Sequence, residues 1–265
     1  MGIDIGGSIV SSSGFDSSGN ILNSPSIITD GLVLWIDAGN LACYNNTSSY
    51  YDCGYGCQYY ASDPGCTNCN TQVKDMSGYG NDGTLVNGVA ITYSNVGGTI
   101  NFDGTNDYVN ITHSSSIQPS TGVITTSAWF YSVETGSIHD RIILNKENEY
   151  EISAGGGYVS YAFRPNWAWV GLTAFNLNQW YNISLTYDQS YQRLYLNGVE
   201  VYNAALSGAI GNTYSNDLRI GARSAPAAPS SLFKGYIPVV QIYNRALSAA
   251  EVLQNFNTDR QRFGI

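Results

Sequence analysis

Four stretches of this 265-residue chain carry side chains at spacings that could do chemistry. The first is "ENEYE", which sets Glu147, Glu149 and Glu151 two residues apart. Alternate residues of a strand share one face, and a retaining glycosidase needs two carboxyls about 5–5.5 Å apart. The spacing permits such a pair. The plainer expectation is a polar strand end in solvent, or a turn at Glu147-Asn148. The second stretch is "DMSGYGNDG", where Asp75, Ser77, Asn81 and Asp82 surround glycines. Calcium takes carboxylate, amide and backbone oxygens from loops of this kind. The competing reading is an Asx/Gly turn closed by its own hydrogen bonds. The third is "RPNWAWVGLTAF". If it is extended, Trp167 and Trp169 share a face, with Arg164 and Asn166 beside them. A sugar ring stacks on such a face while its hydroxyls meet polar neighbours. The alternative is that both indoles fill a core, which is the expectation for Trp129 and Trp180.

The fourth stretch is "CGYGCQYYASDPGCTNC". Cys53, Cys57, Cys66 and Cys69 lie there, Cys43 lies ten residues upstream, and no cysteine follows. Two disulfides, a zinc site and free thiols are all open. The pairs have knuckle-like spacing, but eight residues between Cys57 and Cys66 is short for zinc. No Lys, Arg or His between Asn40 and Val73 offsets four thiolates. A loop with little apolar content needs a staple, so two disulfides are the expectation. Tyr59 and Tyr60 stand in the same loop as possible sugar or protein contacts. His113 and His139 sit among polar loop residues, where solvation is expected. No Ser-His-Asp or Cys-His set and no phosphate-binding glycine loop stands out.

The totals limit the classes of function. Net charge is −9 with 11 basic residues, so phosphate backbones are repelled and nucleic-acid binding is not expected. No apolar run approaches ~18 residues, so membrane insertion is not expected either. Only 12% of residues are charged, whereas glycine supplies 29 and tyrosine 21. Such a surface suits a β-rich protein of extracellular type. The opening "MGIDIGGSIVSSSG" has neither a positive region nor an apolar run, so a signal peptide is not expected.

The elements that must position these side chains are mostly strands. Residues 1–29 are rich in Ser, Gly and Asn and read as an arm, either disordered or ordered by docking on a partner. From residue 30 short β-type runs alternate with turn signals: Asn87-Gly88, Asp103-Gly104, Gly155-Gly156-Gly157, Asp188-Gln189-Ser190 and Asn197-Gly198. Pro238 predicts an edge or a bulge. One helix is predicted at about 248–257. It opens on a Ser248/Glu251 capping box, and Leu247, Val252, Leu253 and Phe256 are expected to face the body. Many short strands and one helix imply a two-sheet sandwich.

Five blocks carry a resemblance: "GLVLWIDAGN" (31–40), "DMSGYGNDGTLVNG" (75–88), "INFDGTNDYVNI" (100–111), "WYNISLTYD … LYLNGVEV" (180–201) and "LRIGARS … GYIPVVQIYNRALSAAEVLQNF" (218–256). They resemble the laminin-G-like, concanavalin A-like lectin/glucanase superfamily. The resemblance implies an all-β jelly-roll sandwich of two antiparallel sheets over residues 30–265, with a Cys/Tyr-rich insertion at 41–74. Such domains mostly bind glycans or proteins, and some relatives are hydrolases. It also implies a structural calcium near Asp75, Asn81 and Asp82, although Pro238 and Val239 stand where the family usually supplies acidic ligands. The two ends, "GGSIVSSSGFDSSGNI" and "IYNRALSAAEVLQNFNTDRQRFGI", are similar to tailed-bacteriophage virion proteins. They imply a non-enzymatic capsid decoration or fibre component on the virion surface. It would be held by its arm to other virion proteins as a homo-oligomer or lattice, and would be able to bind host-surface glycans. A secreted or surface adhesin and a polysaccharide hydrolase are the alternatives.

Overall fold

The computed structural model describes residues 26–40, 71–210, 214–223 and 230–265. Most of the arm, all five cysteines (Cys43, Cys53, Cys57, Cys66 and Cys69), Tyr59 and Tyr60 lie outside the described residues.

In chain order the strands are β1 (Leu32–Asp37), β2 (Gln72–Val73), β3 (Gly83–Val86), β4 (Ala90–Ser94), β5 (Gly97–Asp103), β6 (Tyr108–Ile111), β7 (Ile124–Ser132) and β8 (Ile142–Lys146). They continue as β9 (Tyr150–Gly155), β10 (Tyr158–Phe163), β11 (Val170–Ala174), β12 (Trp180–Tyr187), β13 (Tyr191–Leu196), β14 (Val199–Ala205), β15 (Leu218–Ile220) and β16 (Lys234–Tyr243). Helix α1 (Ala249–Asp259) follows. Sheet one runs β14-β13-β12-β7-β16-β5-β4, with β1 also paired to β16, and sheet two runs β11-β10-β9-β8-β15-β6-β3-β2. All their pairings are antiparallel, as the two-sheet jelly roll requires.

Alternation along each strand builds the core. Ile183, Leu185, Phe130, Val240 and Ile242 of sheet one meet Ile152, Val159, Tyr161, Leu218 and Ile220 of sheet two, all buried in one cluster. The Gly155-Gly156-Gly157 and Asn197-Gly198 signals both turn hairpins, with Asn197 and Gly198 at φ 52° and 74°. Asn87-Gly88 and Asp103-Gly104 turn the chain too, but they do not make hairpins. Each carries it from one sheet to the other, β3 to β4 and β5 to β6. Pro238 sits at a bulge inside central strand β16 rather than on an edge, and its carbonyl accepts the Ala38 N–H at 2.8 Å.

Helix α1 has the predicted capping box, with Ser248 and Glu251 bonding each other's backbone N–H. Arg245 pairs with Glu251 at 2.7 Å and, with the cap, lowers that carboxyl's pKa to about 2. Leu247, Val252 and Phe256 are buried as predicted, but Leu253 is exposed. The helix and the chain end cover the outer side of sheet one. Trp129 stacks there on Phe256 and Phe263, with ring centroids 5.6 and 4.2 Å away. The expectation that Trp129 and Trp180 lie between the sheets is therefore corrected. Both project outward from sheet one, Trp129 fully buried and Trp180 half-buried against Phe263.

Candidate functional site

Sheet two also has an outer side, and polar side chains gather there. Along β9, Tyr150, Ile152 and Ala154 enter the core, so Glu151 and Ser153 point outward. Register places Glu151 opposite Asn145, Asn145 opposite Arg219, and Arg219 opposite Asn110. One row of four polar residues thus crosses four strands. Arg223, just past β15, closes on Glu151 through Nε and a terminal nitrogen at 2.8 and 2.7 Å. Glu151 is almost wholly buried. Burial raises its pKa to about 7, against the pull of Arg223 in the other direction.

Trp169 lies beside this ion pair. The Arg223 guanidinium sits 5.9 Å from its ring centroid, and the His139 imidazole stacks on it at 4.5 Å and 12°. His139 Nδ1 is 3.0 Å from Ser160 Oγ on β10. Desolvation and, after it, Arg223 lower the His139 pKa, so the neutral ring is the stacking form at pH 7. The loop that delivers His139 is held tightly. Arg141 ion-pairs with Glu134 and donates to the Leu232 carbonyl at 3.0 Å. A Cβ at Gly155 would lie 2.3 Å from the carbonyls of Ser137 and Asp140, so only glycine admits the loop there. His139 and Arg141 both take φ near 60°, a conformation that costs non-glycine residues about 1 kcal/mol or more. Ile138, Tyr158 and Leu172 are exposed on the same loop and strands.

The predicted site residues separate. Residues 164–167 form a turn, so the segment is not extended and its two tryptophans do not share a strand face. Trp167 has φ 46° and donates its N–H to the Phe163 carbonyl at 2.6 Å. Asn166 is exposed. Arg164 turns away to the Asn148 carbonyl and the Tyr214 hydroxyl, at 3.1 and 2.9 Å. Of that predicted group, only Trp169 joins the polar row. His139, expected to be solvated, is instead its stacking partner.

The carboxylates of "ENEYE" also part company. A turn at residues 147–149, with Asn148 at φ 66°, keeps the three off one strand face. Glu149 turns inward and meets Lys146 at 3.1 Å, both fully buried, while Gln118 donates to it at 3.2 Å. Lys146 also donates to the Asn216 carbonyl at 2.9 Å. Its register partners Tyr150 and Leu218 are core residues, which puts this pair on the core side of sheet two. Glu151 lies on the other side. For Glu149 and Glu151, burial and ion pairing replace the expected solvated strand end. These two carboxyls, on opposite sides of a sheet, do not flank one glycosidic bond, whereas the half-buried Glu147 stays on the Glu151 side, bonded to Asn145.

The Asp75 loop closes on itself. Asp75 accepts from Trp35 N and Ser77 N at 2.9 Å, Ser77 Oγ at 2.8 Å and Asn81 N at 3.0 Å. Asp82 accepts from Asp75 N at 2.9 Å and pairs with Lys74. The Asn81 amide spans Val33 O and Ser116 Oγ, and its oxygen accepts from Ser114. Donors already address these oxygens, and an ammonium stands on one carboxylate. The donor set as arranged does not fit a calcium ion, which takes six to eight free oxygens. Among the described residues no group of three or more His, Cys, Asp or Glu could hold a metal.

A profile of the concanavalin A-like lectin/glucanases superfamily matches residues 103–253. The chain belongs to this superfamily. Solved structures of similar fold include the binding domain of Paraclostridial Mosquitocidal Protein 1, at 18% identity and TM-score 0.60, covering 87% of this chain and 52% of that one. The binding domain of Botulinum Neurotoxin DC in complex with SialylT matches at 11% identity and TM-score 0.61, again over 87% and 52%. Domain 4 of AbnA, an extracellular arabinanase from Geobacillus stearothermophilus, in complex with arabinotriose, matches at 17% identity and TM-score 0.52, over 69% and 91%. The superfamily member described here spans about half the length of the toxin binding domains. No curated protein sequence matches it.

Proposed function

We propose that this domain is a non-enzymatic, lectin-like module that binds glycans on the outer side of sheet two. The observation that carries the reading is the Trp169–His139 stack beside the Arg223–Glu151 pair. An aromatic face takes the apolar face of a sugar ring. The half-buried Arg223 guanidinium, held in place by the buried Glu151, supplies donors to the sugar's hydroxyls, and the half-buried Arg219 and Asn110 extend that row. Support comes from the arabinanase domain, which was solved with arabinotriose and is matched over 91% of its length. Half of each toxin binding domain lies outside the match, so their ligands support the reading less. The separation of Glu149 from Glu151, and the Arg223 ion pair that occupies Glu151, favour binding over hydrolysis.

The test is a printed glycan array probed with the full chain and with Trp169→Ala. Sugar-dependent retention that Trp169→Ala abolishes is expected. Retention unchanged in the variant, or none on any sugar, overturns the proposal.

The finer proposal is display on a phage particle, through residues 1–29, for attachment to host-surface glycans. The similarity of the two ends to tailed-phage virion proteins supports it. Deleting residues 1–25 should abolish incorporation into particles and leave the Tm of the rest within a few degrees. Full incorporation without those residues counts against it.

A further inference from the structure

The charge pattern deepens the glycan-binding reading, on which this inference rests, by naming the class of sugar. All 11 Lys and Arg residues of the chain lie among the described residues, so their pairing can be followed one by one. Eight have a carboxylate within 4.0 Å: Lys74, Arg141, Lys146, Arg193, Arg223, Lys234, Arg245 and Arg262. Among the described contacts, Arg164, Arg219 and Arg260 have none. Arg260 ends helix α1, on the far side of the molecule. Arg164 serves the Asn148 carbonyl and the Tyr214 hydroxyl.

Arg219 is the one cation without a carboxylate partner on the proposed glycan face, and two of its N–H groups are bonded within the protein. Its Nε donates to Asn110 Oδ1 at 3.4 Å and a terminal nitrogen to the Arg223 carbonyl at 3.0 Å. The guanidinium lies over the Tyr108 ring, 4.5 Å from the centroid. Asn110 in turn donates to Asp217 at 2.9 Å. At the other end of the row, Asn145 donates to Glu147 at 3.2 Å. Two arginines on this face are thus answered by Glu147, Glu151 and Asp217. The stretches of chain outside the described residues add no positive charge. Residues 1–25, 41–70, 211–213 and 224–229 hold Asp4, Asp16, Asp52 and Asp63, and no Lys, Arg or His.

We infer that the face takes an uncharged saccharide and rejects sialylated or uronate-bearing ones. An acidic sugar finds a single arginine without a carboxylate of its own, set among Glu147, Glu151 and Asp217, and approaches a molecule of net charge −9. Bringing like charges together at an interface is disfavoured, and the long-range part of that repulsion is screened by salt. A neutral pyranose or furanose meets the aromatic face and the paired charges without that cost.

The experiment measures the affinity of the full chain for matched pairs on an array. Each neutral oligosaccharide is set beside its sialylated or uronate counterpart, at low salt and again at 0.5 M NaCl. The neutral member should bind at least about ten-fold more tightly at low salt, and the gap should narrow at high salt. Arg219→Gln, which removes a group of the proposed face, should weaken both members of a pair and leave the neutral one the tighter. Equal or tighter binding of the acidic members overturns the inference and leaves the glycan-binding reading standing, most clearly if Arg219→Gln then removes the acidic binding. No binding by either member of any pair overturns the glycan-binding reading, and the inference with it.

Discussion

Trp129 of sheet one and Trp169 beside sheet two both lie on outer sides of this sandwich, and the two meet different fates. Trp129 on sheet one is capped by Phe256 of the helix and Phe263 of the chain end and is 2% exposed. Trp169, just before β11 of sheet two, stacks on one imidazole, faces one guanidinium and stays half-buried. The same residue type serves packing on one side and a half-buried polar cluster on the other. What separates them is the element laid over them, helix α1 and the tail in one case and a loop of mixed polarity in the other. An outward tryptophan therefore says little until its cover is known.

The comparison can be broken most directly at Trp129. Replacing it by Ala should cost about 3–5 kcal/mol, since it leaves a cavity under two aromatic rings. Thermal or urea unfolding checks this, and a loss under 1 kcal/mol would mean that the helix and tail do not cover sheet one as described. Loosening the cover itself should cost less. Ser248→Ala removes the N-cap and should lower stability by about 1 kcal/mol in the same assay.

A third test uses pH. Asp259, near the end of helix α1, has its pKa raised to about 6, first by desolvation and then by Asp37. A raised carboxyl pKa means the folded state holds its proton longer than the unfolded chain. Stability from this group is therefore greatest below about pH 4 and is lost as pH rises through about 6. Asp259→Asn should raise the Tm by a few degrees at pH 8 and leave it unchanged at pH 4. Equal shifts at both pH values would refute the assignment. Glu151, raised to about 7, follows the same sign on sheet two.

Trp169→Ala is expected to do little to stability, within about 0.5–1 kcal/mol of the parent, while removing glycan retention. A stability loss as large as that of Trp129→Ala would make Trp169 a packing residue like its counterpart. The smallest effect concerns the Asp75 loop. EGTA and added calcium should leave the Tm unchanged, because protein donors already occupy its oxygens. A calcium-dependent rise of several degrees would restore the metal site.

Much of the fold was legible because its signals are local. Asn197-Gly198 fixes a hairpin by backbone geometry alone, and Ser248/Glu251 sets a helix start within four residues. The Asn87-Gly88 and Asp103-Gly104 turns show the limit of such signals. A turn dipeptide states that the chain reverses, not which sheet receives it, and partners far along the chain decide that. The site was legible only in Trp169. His139 is 30 residues from Trp169 and Arg223 is 72 from Glu151, so no spacing rule joins them. Alternation put Glu147, Glu149 and Glu151 on one face, but the turn at residues 147–149 hands Glu149 to Lys146 on the core side and leaves only Glu151 on β9.

The first described residues have a consequence of their own. Ile28 N–H bonds Asn255 at 2.8 Å, Gln254 bonds the Ser26 carbonyl at 2.8 Å, and Arg245 ion-pairs with Asp30 at 2.9 Å. The chain thus enters the domain along helix α1, behind sheet one, while Trp169 and Arg223 face the opposite way. A pull on residue 26 meets two bonds to helix α1 and then the Arg245–Asp30 pair just ahead of it. Anchored at that end, the domain would carry load at its back and keep its polar face turned toward whatever lies in front.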